Sequence, residues 1–261
     1  AHFGGSTLQQ YEVTATAPGG VNLTCSSTSA TSCVISGITL GKTYSIVVKA
    51  TSQANQFSSS APGTYDAVGT PTVTLGSLTT PVNWASAGST QALTATAMPA
   101  DAQAANLAIT YNAVGTPANA CSASGTMLTL SNVGTCAVTA TSTATTLWAS
   151  ATSQPVTITV KAVAPNAPTG LALAGNTLSW TAPTITGGEA ITGYTVTATP
   201  TTGSPPASPL SCSPGTATSC TFASLPAGTT YTFSVTANNS AGAGQPSTMS
   251  QTVIGTPTLA L

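Results

Sequence analysis

CSPGTATSCTFASLPAGTTYTFSVTA, residues 212–237, repeats CSSTSATSCVISGITLGKTYSIVVKA, residues 25–50. Eleven of 26 positions are identical without a gap, at an offset of 187. Outward from this pair the repeat continues. Upstream, GGSTLQQY (4–11) aligns with GGEAITGY (187–194), the following loop being about four residues longer in the second copy. Downstream, VGTPTVTL (68–75) aligns with IGTPTLAL (254–261) at an offset of 186. Self-similarity at a fixed period marks a repeat architecture. The period here is a two-domain unit of roughly 186 residues, and the sequence spans about 1.4 of them. The second copy has a front section, 164–183, with no counterpart before Ala1. Either the sequence is cropped from a longer array, or a neighbouring chain supplies the missing strands.

Between the two copies the apolar residues alternate. Val73 and Leu75; Leu93 and Ala95; Leu107, Ile109 and Tyr111; Leu128 and Leu130; Cys136, Val138 and Ala140; and Val156, Ile158 and Val160 each share a face of their segment. Ser and Thr fill the opposite face, and Gly, Pro, Asn and Ser clusters bound the segments. Period-two patterning of this kind reads as short half-buried strands. Threonine suits the outer face because it is β-branched yet compatible with water. No amphipathic helix of useful length is present. The fold class expected is all-β, a string of tandem immunoglobulin-like antiparallel β-sandwiches.

Composition narrows the function. Only Lys42, Lys49, Lys161, Glu12, Asp66, Asp101 and Glu189 carry a formal charge; there is no arginine, and the charged fraction is 3% where an ordinary domain has about a quarter. Three scattered lysines cannot track a phosphate backbone, so nucleic acid is excluded as a partner. Disorder goes with high net charge and no periodicity, and neither holds here. No apolar run reaches the ~20 residues of a spanning helix. The six cysteines form three local pairs, Cys25 and Cys33, Cys121 and Cys136, Cys212 and Cys220. Such pairing reads as disulfides made in an oxidising compartment. Free thiols and a metal site are the rival readings; the metal reading lacks short two-residue spacings, and His2 is far from every pair.

Several stretches carry a family resemblance. PNAPTGLALAGNTLSWTAP, GGEAITGYTVTA and LPAGTTYTFSVTA, within Pro165 to about Val253, resemble a fibronectin type III domain. The resemblance puts Trp180 at the second-strand tryptophan, Tyr194 at the start of the third strand, and Leu225 and Tyr231 at the leucine-to-tyrosine corner. Residues 1–68 resemble the same fold from the second-to-third-strand loop onward, with Ile38 and Tyr44 at the corner and the first two strands missing. CSASGTMLTLSNVGTCAVTATSTATTLWASATSQPVTITV, residues 121–160, is similar to bacterial immunoglobulin-like repeats of large surface and secreted proteins. The organisation implied is a partial fibronectin type III-like sandwich at 1–68, a bacterial immunoglobulin-like domain at 69–163, a fibronectin type III-like domain at 164–254, and the first strand of a further immunoglobulin-like domain at 255–261. Each cysteine pair is expected to staple neighbouring strands.

Catalysis needs convergent titratable groups or a metal. The four carboxylates are scattered, one histidine cannot serve a triad, and no serine sits in a nucleophile elbow. Clustered carboxylates for calcium are missing too. No catalytic residue, cofactor or metal is expected. Trp84, Trp148, Phe57 and Tyr65 are either packing residues or sugar-stacking platforms; packing is favoured, with Trp148 capping the core near the last hairpin and Trp84 at a strand edge. The triplets Asn22-Leu23-Thr24 and Asn238-Asn239-Ser240 match the N-glycosylation pattern that arises often by chance in such chains.

These features point to a non-enzymatic structural repeat module of an extracellular bacterial filament, sheath or giant surface protein. Its expected partners are copies of itself or adjacent repeats, joined in one version by strand complementation. An adhesin stalk binding a glycan or cell-surface receptor, and the spacer domains of a secreted polysaccharide-degrading enzyme, are the alternatives.

Overall fold

The structure, a computed structural model, describes residues 7–84, 88–98, 107–202 and 209–254. Every regular element among these residues is a β-strand. The chain divides into two compact units, one of residues 1–77, 93–112 and 139–156, the other of 78–92, 113–138 and 157–261.

The first unit is built on β1 (Leu8–Thr16), β2 (Asn22–Ser27), β3 (Lys42–Ser52), β4 (Phe57–Ser59) and β5 (Gly63–Ala67). They form one sheet in the order β2-β1-β3-β4, with β5 also on β3. A Pro18-Gly19-Gly20 turn closes the β1–β2 hairpin, Gly19 taking a φ of 66° that a β-carbon would penalise. One face of the sheet buries Ala15, Tyr44 and Ala67, with Leu23, Ile35, Ile38 and Ile46 packed against them. Ile35 and Ile38 reach this face from the loop between β2 and β3. The same unit holds β6 (Thr72–Leu75) paired antiparallel with β9 (Ala95–Met98).

The second unit contains β7 (Val82–Asn83), β8 (Ser89–Ala92), β11 (Cys121–Ser124) and β12 (Met127–Leu130), the last three forming a sheet in the order β11-β12-β8. Strands β10 (Ile109–Thr116), β13 (Gly134–Ser142) and β15 (Val156–Lys161) contribute residues to both units; their sheet runs β10-β13-β15-β7, with β14 (Ala151–Thr152) on β13. Pairing of β15 with β7 is parallel, Val160 opposite Val82. This departs from the purely antiparallel expectation, because a two-residue edge segment arriving from elsewhere in the chain has no hairpin to fix its direction.

The C-terminal part of the second unit is a complete sandwich. Strands β16 (Thr169–Ala174), β17 (Thr177–Thr181) and β20 (Ser219–Thr221) form one sheet; β18 (Gly193–Thr202), β19 (Leu210–Cys212), β21 (Thr230–Asn239), β22 (Gly242–Ala243) and β23 (Ser247–Thr252) form the other. Along β21, TYTFSVTANN alternates half-buried and buried at every position, the pattern a strand with one face on a core must show. Leu178, Trp180, Tyr194, Val196, Phe222, Leu225, Tyr231, Phe233 and Val235 make the core. Trp180 and Tyr194 meet edge-to-face at 5.2 Å between ring centres, a geometry the ring quadrupoles favour.

The cysteines are joined as Cys25–Cys33, Cys121–Cys136 and Cys212–Cys220. The expectation that each staples neighbouring strands needs correction. Cys121 lies on β11 and Cys136 on β13, and Cys212 on β19 and Cys220 on β20, so both bonds join strands of different sheets. The short segment between Cys212 and Cys220 is where the chain crosses from one sheet to the other. Cys25 is on β2, while Cys33 lies in an irregular stretch.

On the solvent faces, hydroxyls pair across strands: Thr141 with Thr152 at 2.9 Å, Thr177 with Thr221 at 2.9 Å, Thr230 with Thr252 at 2.8 Å and Thr232 with Ser250 at 3.1 Å. In each pair either oxygen can donate.

The two tyrosine corners differ in one atom. In the first unit the Thr39 N–H donates to the Tyr44 hydroxyl at 2.9 Å. The equivalent of Thr39 in the second copy is Pro226, which has no N–H. The Tyr231 hydroxyl is accordingly buried without a hydrogen-bond partner among the described residues. Tyr44→Phe is therefore expected to cost about 1 kcal/mol, whereas Tyr231→Phe should be neutral or slightly stabilising. Chemical denaturation of the two variants checks this. In a Pro226→Ala background, which restores a donor, Tyr231→Phe should become destabilising.

Candidate functional site

Among the described residues no group of three or more His, Cys, Asp or Glu is placed to hold a metal. The side chains most specifically built into their surroundings instead lie where one segment of the chain meets the next.

In the first unit Trp148 is 2% exposed. Its own backbone is fixed first: Thr145 N–H donates to the Trp148 carbonyl at 2.8 Å, and Trp148 N–H to the Thr145 hydroxyl at 3.1 Å. A parallel bridge then binds this stretch to Gly69, whose N–H donates to Leu147 O at 3.0 Å and whose carbonyl accepts from Ala149 N–H at 2.8 Å. The indole lies on two glycines. A β-carbon at Gly41 or at Gly69 would overlap its ring atoms. Gly41 has a φ of 78°, so its backbone requires glycine on its own account. Gly69 has no left-handed φ; there the indole is the first obstacle to a side chain and the Leu40 β-carbon, at 3.1 Å, the next. Trp148 is thus buried as a packing residue, and its contact with Gly41 and Gly69 holds residues 139–156 to the segment that carries β3 and β5. Burying an indole removes roughly 150–250 Å² from water, worth about 4–6 kcal/mol as an upper figure.

In the second unit a comparable contact involves Trp84. Its N–H donates to Lys161 O at 2.8 Å, and a β-carbon at Gly188 would crowd both its ring and Val133. Beside it Val163 N–H donates to Gly187 O at 3.0 Å. Asn239 completes the arrangement. Its amide nitrogen donates to Val163 O at 2.7 Å and Thr186 O at 2.8 Å, and its amide oxygen accepts from the N–H groups of Ala241 and Gly242 at 2.8 and 3.2 Å. All four bonds are made by one buried side chain. A cleft of about 440 Å³ opens alongside, lined by Trp84, Asn132, Ile185, Thr186 and Glu189 among others.

A third feature lies on the same face of the first sheet, beyond Ala15. A groove of about 290 Å³ lies there, between Tyr11, Val13 and Val48 on the strands and Ala30–Cys33 on the loop. Val34 beyond it is 85% exposed.

The remaining sequence candidates fall as follows. Trp180, Tyr194, Leu225, Tyr231 and Tyr44 are buried and Ile38 is partly buried in its core. Phe57 is 67% exposed, with Lys49 Nζ 4.8 Å from its ring centre; Tyr65 is exposed as well. Asp66 accepts from the Thr43 hydroxyl at 2.6 Å. Asn22 is exposed, whereas the Asn238 amide donates to Thr195 Oγ1 at 3.0 Å. His2, Asp101 and residues 255–261 lie outside the described residues. Sequence reasoning missed the glycine seat and the Asn239 clamp. Gly41 is one of the eleven identities between the copies, and Gly69 recurs as Gly255; glycine retained in both copies was the available signal.

Residues 153–253 match the family model of the fibronectin type III domain, beginning twelve residues before the stretch whose motifs suggest it. Among solved structures, the crystal structure of titin domains A168–A170 is similar at 16% identity over 82% of this chain and 75% of that one, with a TM-score of 0.33. The FN1–FN3 domains of chicken CNTN1 are similar at 16% identity over 97% and 91%, with a TM-score of 0.29. The twitchin kinase region of C. elegans is 25% identical over 36% of this chain and 17% of that one, with a TM-score of 0.29. No curated protein matches the chain.

Two outcomes are expected. Gly69→Ala should cost about 1–3 kcal/mol by overpacking and expose Trp148 to collisional fluorescence quenching, and Trp148→Ala about 3–5 kcal/mol. Asn239→Ala should cost about 2–3 kcal/mol by stranding two carbonyls and two amides, with amide exchange rising first at Val163, Ala241 and Gly242.

Proposed function

We propose that this chain is a non-enzymatic structural repeat module of an extracellular bacterial filament, sheath or giant surface protein. The fibronectin type III fold of 153–253, beside further disulfide-linked strand sheets, is of the structural or adhesion type. The observation that carries the finer reading is the Trp148 seat. A two-glycine socket bridged by backbone hydrogen bonds sets one repeat segment against the next, which is useful where length and orientation are the function. Sheet-crossing disulfides and near-absence of charge fit an oxidising exterior, where few trypsin-type cleavage points and little self-repulsion favour durable association. The organisation behind the proposal is 1–68, 69–163 and 164–254, the middle segment being the bacterial immunoglobulin-like one. The β2 edge of the first sheet, paired only with β1 among the described residues, is where a further strand fits, supplied by the same polypeptide or by a neighbour through strand addition.

A second reading, a glycan-binding adhesin stalk, draws on the cleft beside Trp84, whose lining includes Asn132 and Glu189. Aromatic faces with a few polar groups are what a sugar-binding site needs.

Immunogold labelling of the source cells with antibody to this chain tests the first reading. Label along an external filament, sheath or surface layer is expected; label confined to the cell interior would overturn it. Glycan-array binding lost in Trp84→Ala would favour the stalk instead.

A further inference from the structure

The two copies of the corner that seats Trp148 can be compared atom by atom. In the first, Gly41 has φ 78° and its N–H donates to Ala67 O at 2.7 Å. In the second, Gly228 has φ 77° and its N–H donates to Val253 O at 2.8 Å. Gly41 and Gly228 correspond at the offset of 187, and Ala67 and Val253 at 186. Ala67 and Val253 are both buried, and Tyr44 and Tyr231 lie three residues beyond their glycines, also buried. The backbone that receives the indole is therefore built twice.

What covers it differs. A β-carbon on Gly41 would strike Trp148; one on Gly228 meets nothing within 4 Å among the described residues. Ala227 and Gly228 are exposed, and Ile254, the counterpart of Val68, is 87% exposed. Positive φ explains glycine at 41 and 228 by itself. It does not explain Gly69, where a side chain would meet the Trp148 ring first and the Leu40 β-carbon, at 3.1 Å, next. Yet the residue at the corresponding place in the second copy, 255, is again glycine, followed by Thr-Pro-Thr as at 70–72. In the first copy that tetrapeptide leads into the segment that carries Trp148.

We infer that the corner formed by Ala227, Gly228 and Val253 is a second tryptophan seat, and that its occupant is a further copy of the segment 69–163 joined after Ile254. The inference rests on the repeat-array reading and extends it. Successive units are set against each other by one recurring contact, an indole on two glycines, rather than linked by a free tether.

The test is the full chain extended by a second copy of residues 69–163 in place of 255–261. The Gly228 α-proton resonances, assigned by their loss in Gly228→Ala, report the seat. A ring-current shift of these signals on extension is expected, abolished when the added tryptophan is replaced by alanine and unaffected by Trp148→Ala. Gly228→Ala should also lower the melting temperature of the extended chain more than that of the present one, where the new methyl has open space. Unshifted Gly228 signals, with Gly228→Ala equally costly in both chains, would overturn the inference. So would an added segment that stays unfolded, since a seat equal to the first would support it as the first supports 69–163. Free tethering of a folded added segment would leave the scaffold reading standing, whereas interior immunogold label would remove that reading without touching the seat.

Discussion

A chain with seven charged side chains in 261 residues has burial, backbone ladders and covalent links with which to hold its sheets together, and little else. Its cores are light. The first sheet buries Ala15, Tyr44 and Ala67 completely or nearly so and leans on partly buried aliphatics for the rest. Under that constraint the positions of the large residues matter more than their number. Two disulfides cross between sheets within or against the cores, Cys121 and Cys136 being buried, and a single indole contributes as much apolar contact as several alanines. Asn239 shows the polar side of the same economy, with four hydrogen bonds made by one side chain.

Much of the fold was legible. The alternation in TYTFSVTANN reads directly as a strand with one buried face, and the markers Trp180, Tyr194, Leu225 and Tyr231 all lie in the core they suggest. Cysteine spacing was legible only in part. It says how far apart along the chain two thiols stand, not whether the chain has changed sheets between them, and for Cys121–Cys136 and Cys212–Cys220 it has. The parallel pairing of β7 was invisible because two residues carry no periodicity. Glycine is the deeper ambiguity. In the sequence, a glycine required by its own φ and one required by a neighbour's ring look alike; only the structure separates Gly41, which has both reasons, from Gly69, which has one. Asn239 stands in the middle of a chance glycosylation triplet, and nothing in that pattern points to its hydrogen bonds.

Comparison of the two copies separates what a segment dictates from what its surroundings dictate. Thr31-Ser32-Cys33 and Thr218-Ser219-Cys220 are the same tripeptide. In the second copy Ser219 and Cys220 pair with β17 and form β20; in the first, where no strand pairs with it among the described residues, the stretch is irregular. Strand formation here belongs to the ladder rather than to the peptide. The tyrosine corner teaches the complement. Thr39 and Pro226 stand in the same backbone bend, and the proline gains rigidity at the cost of leaving a buried hydroxyl unsatisfied.

The paired hydroxyls on the outer faces have an effect of their own. A Thr–Thr or Thr–Ser pair has no fixed polarity, since either oxygen can donate, so each rung keeps two orientations of its protons. Such rungs carry no net charge for counter-ions to screen and no group that ionises in ordinary waters. A surface held by them presents the same face in brine and in rain, and in mild acid as in mild alkali. Surface salt bridges weaken as salt rises; these rungs have no such dependence.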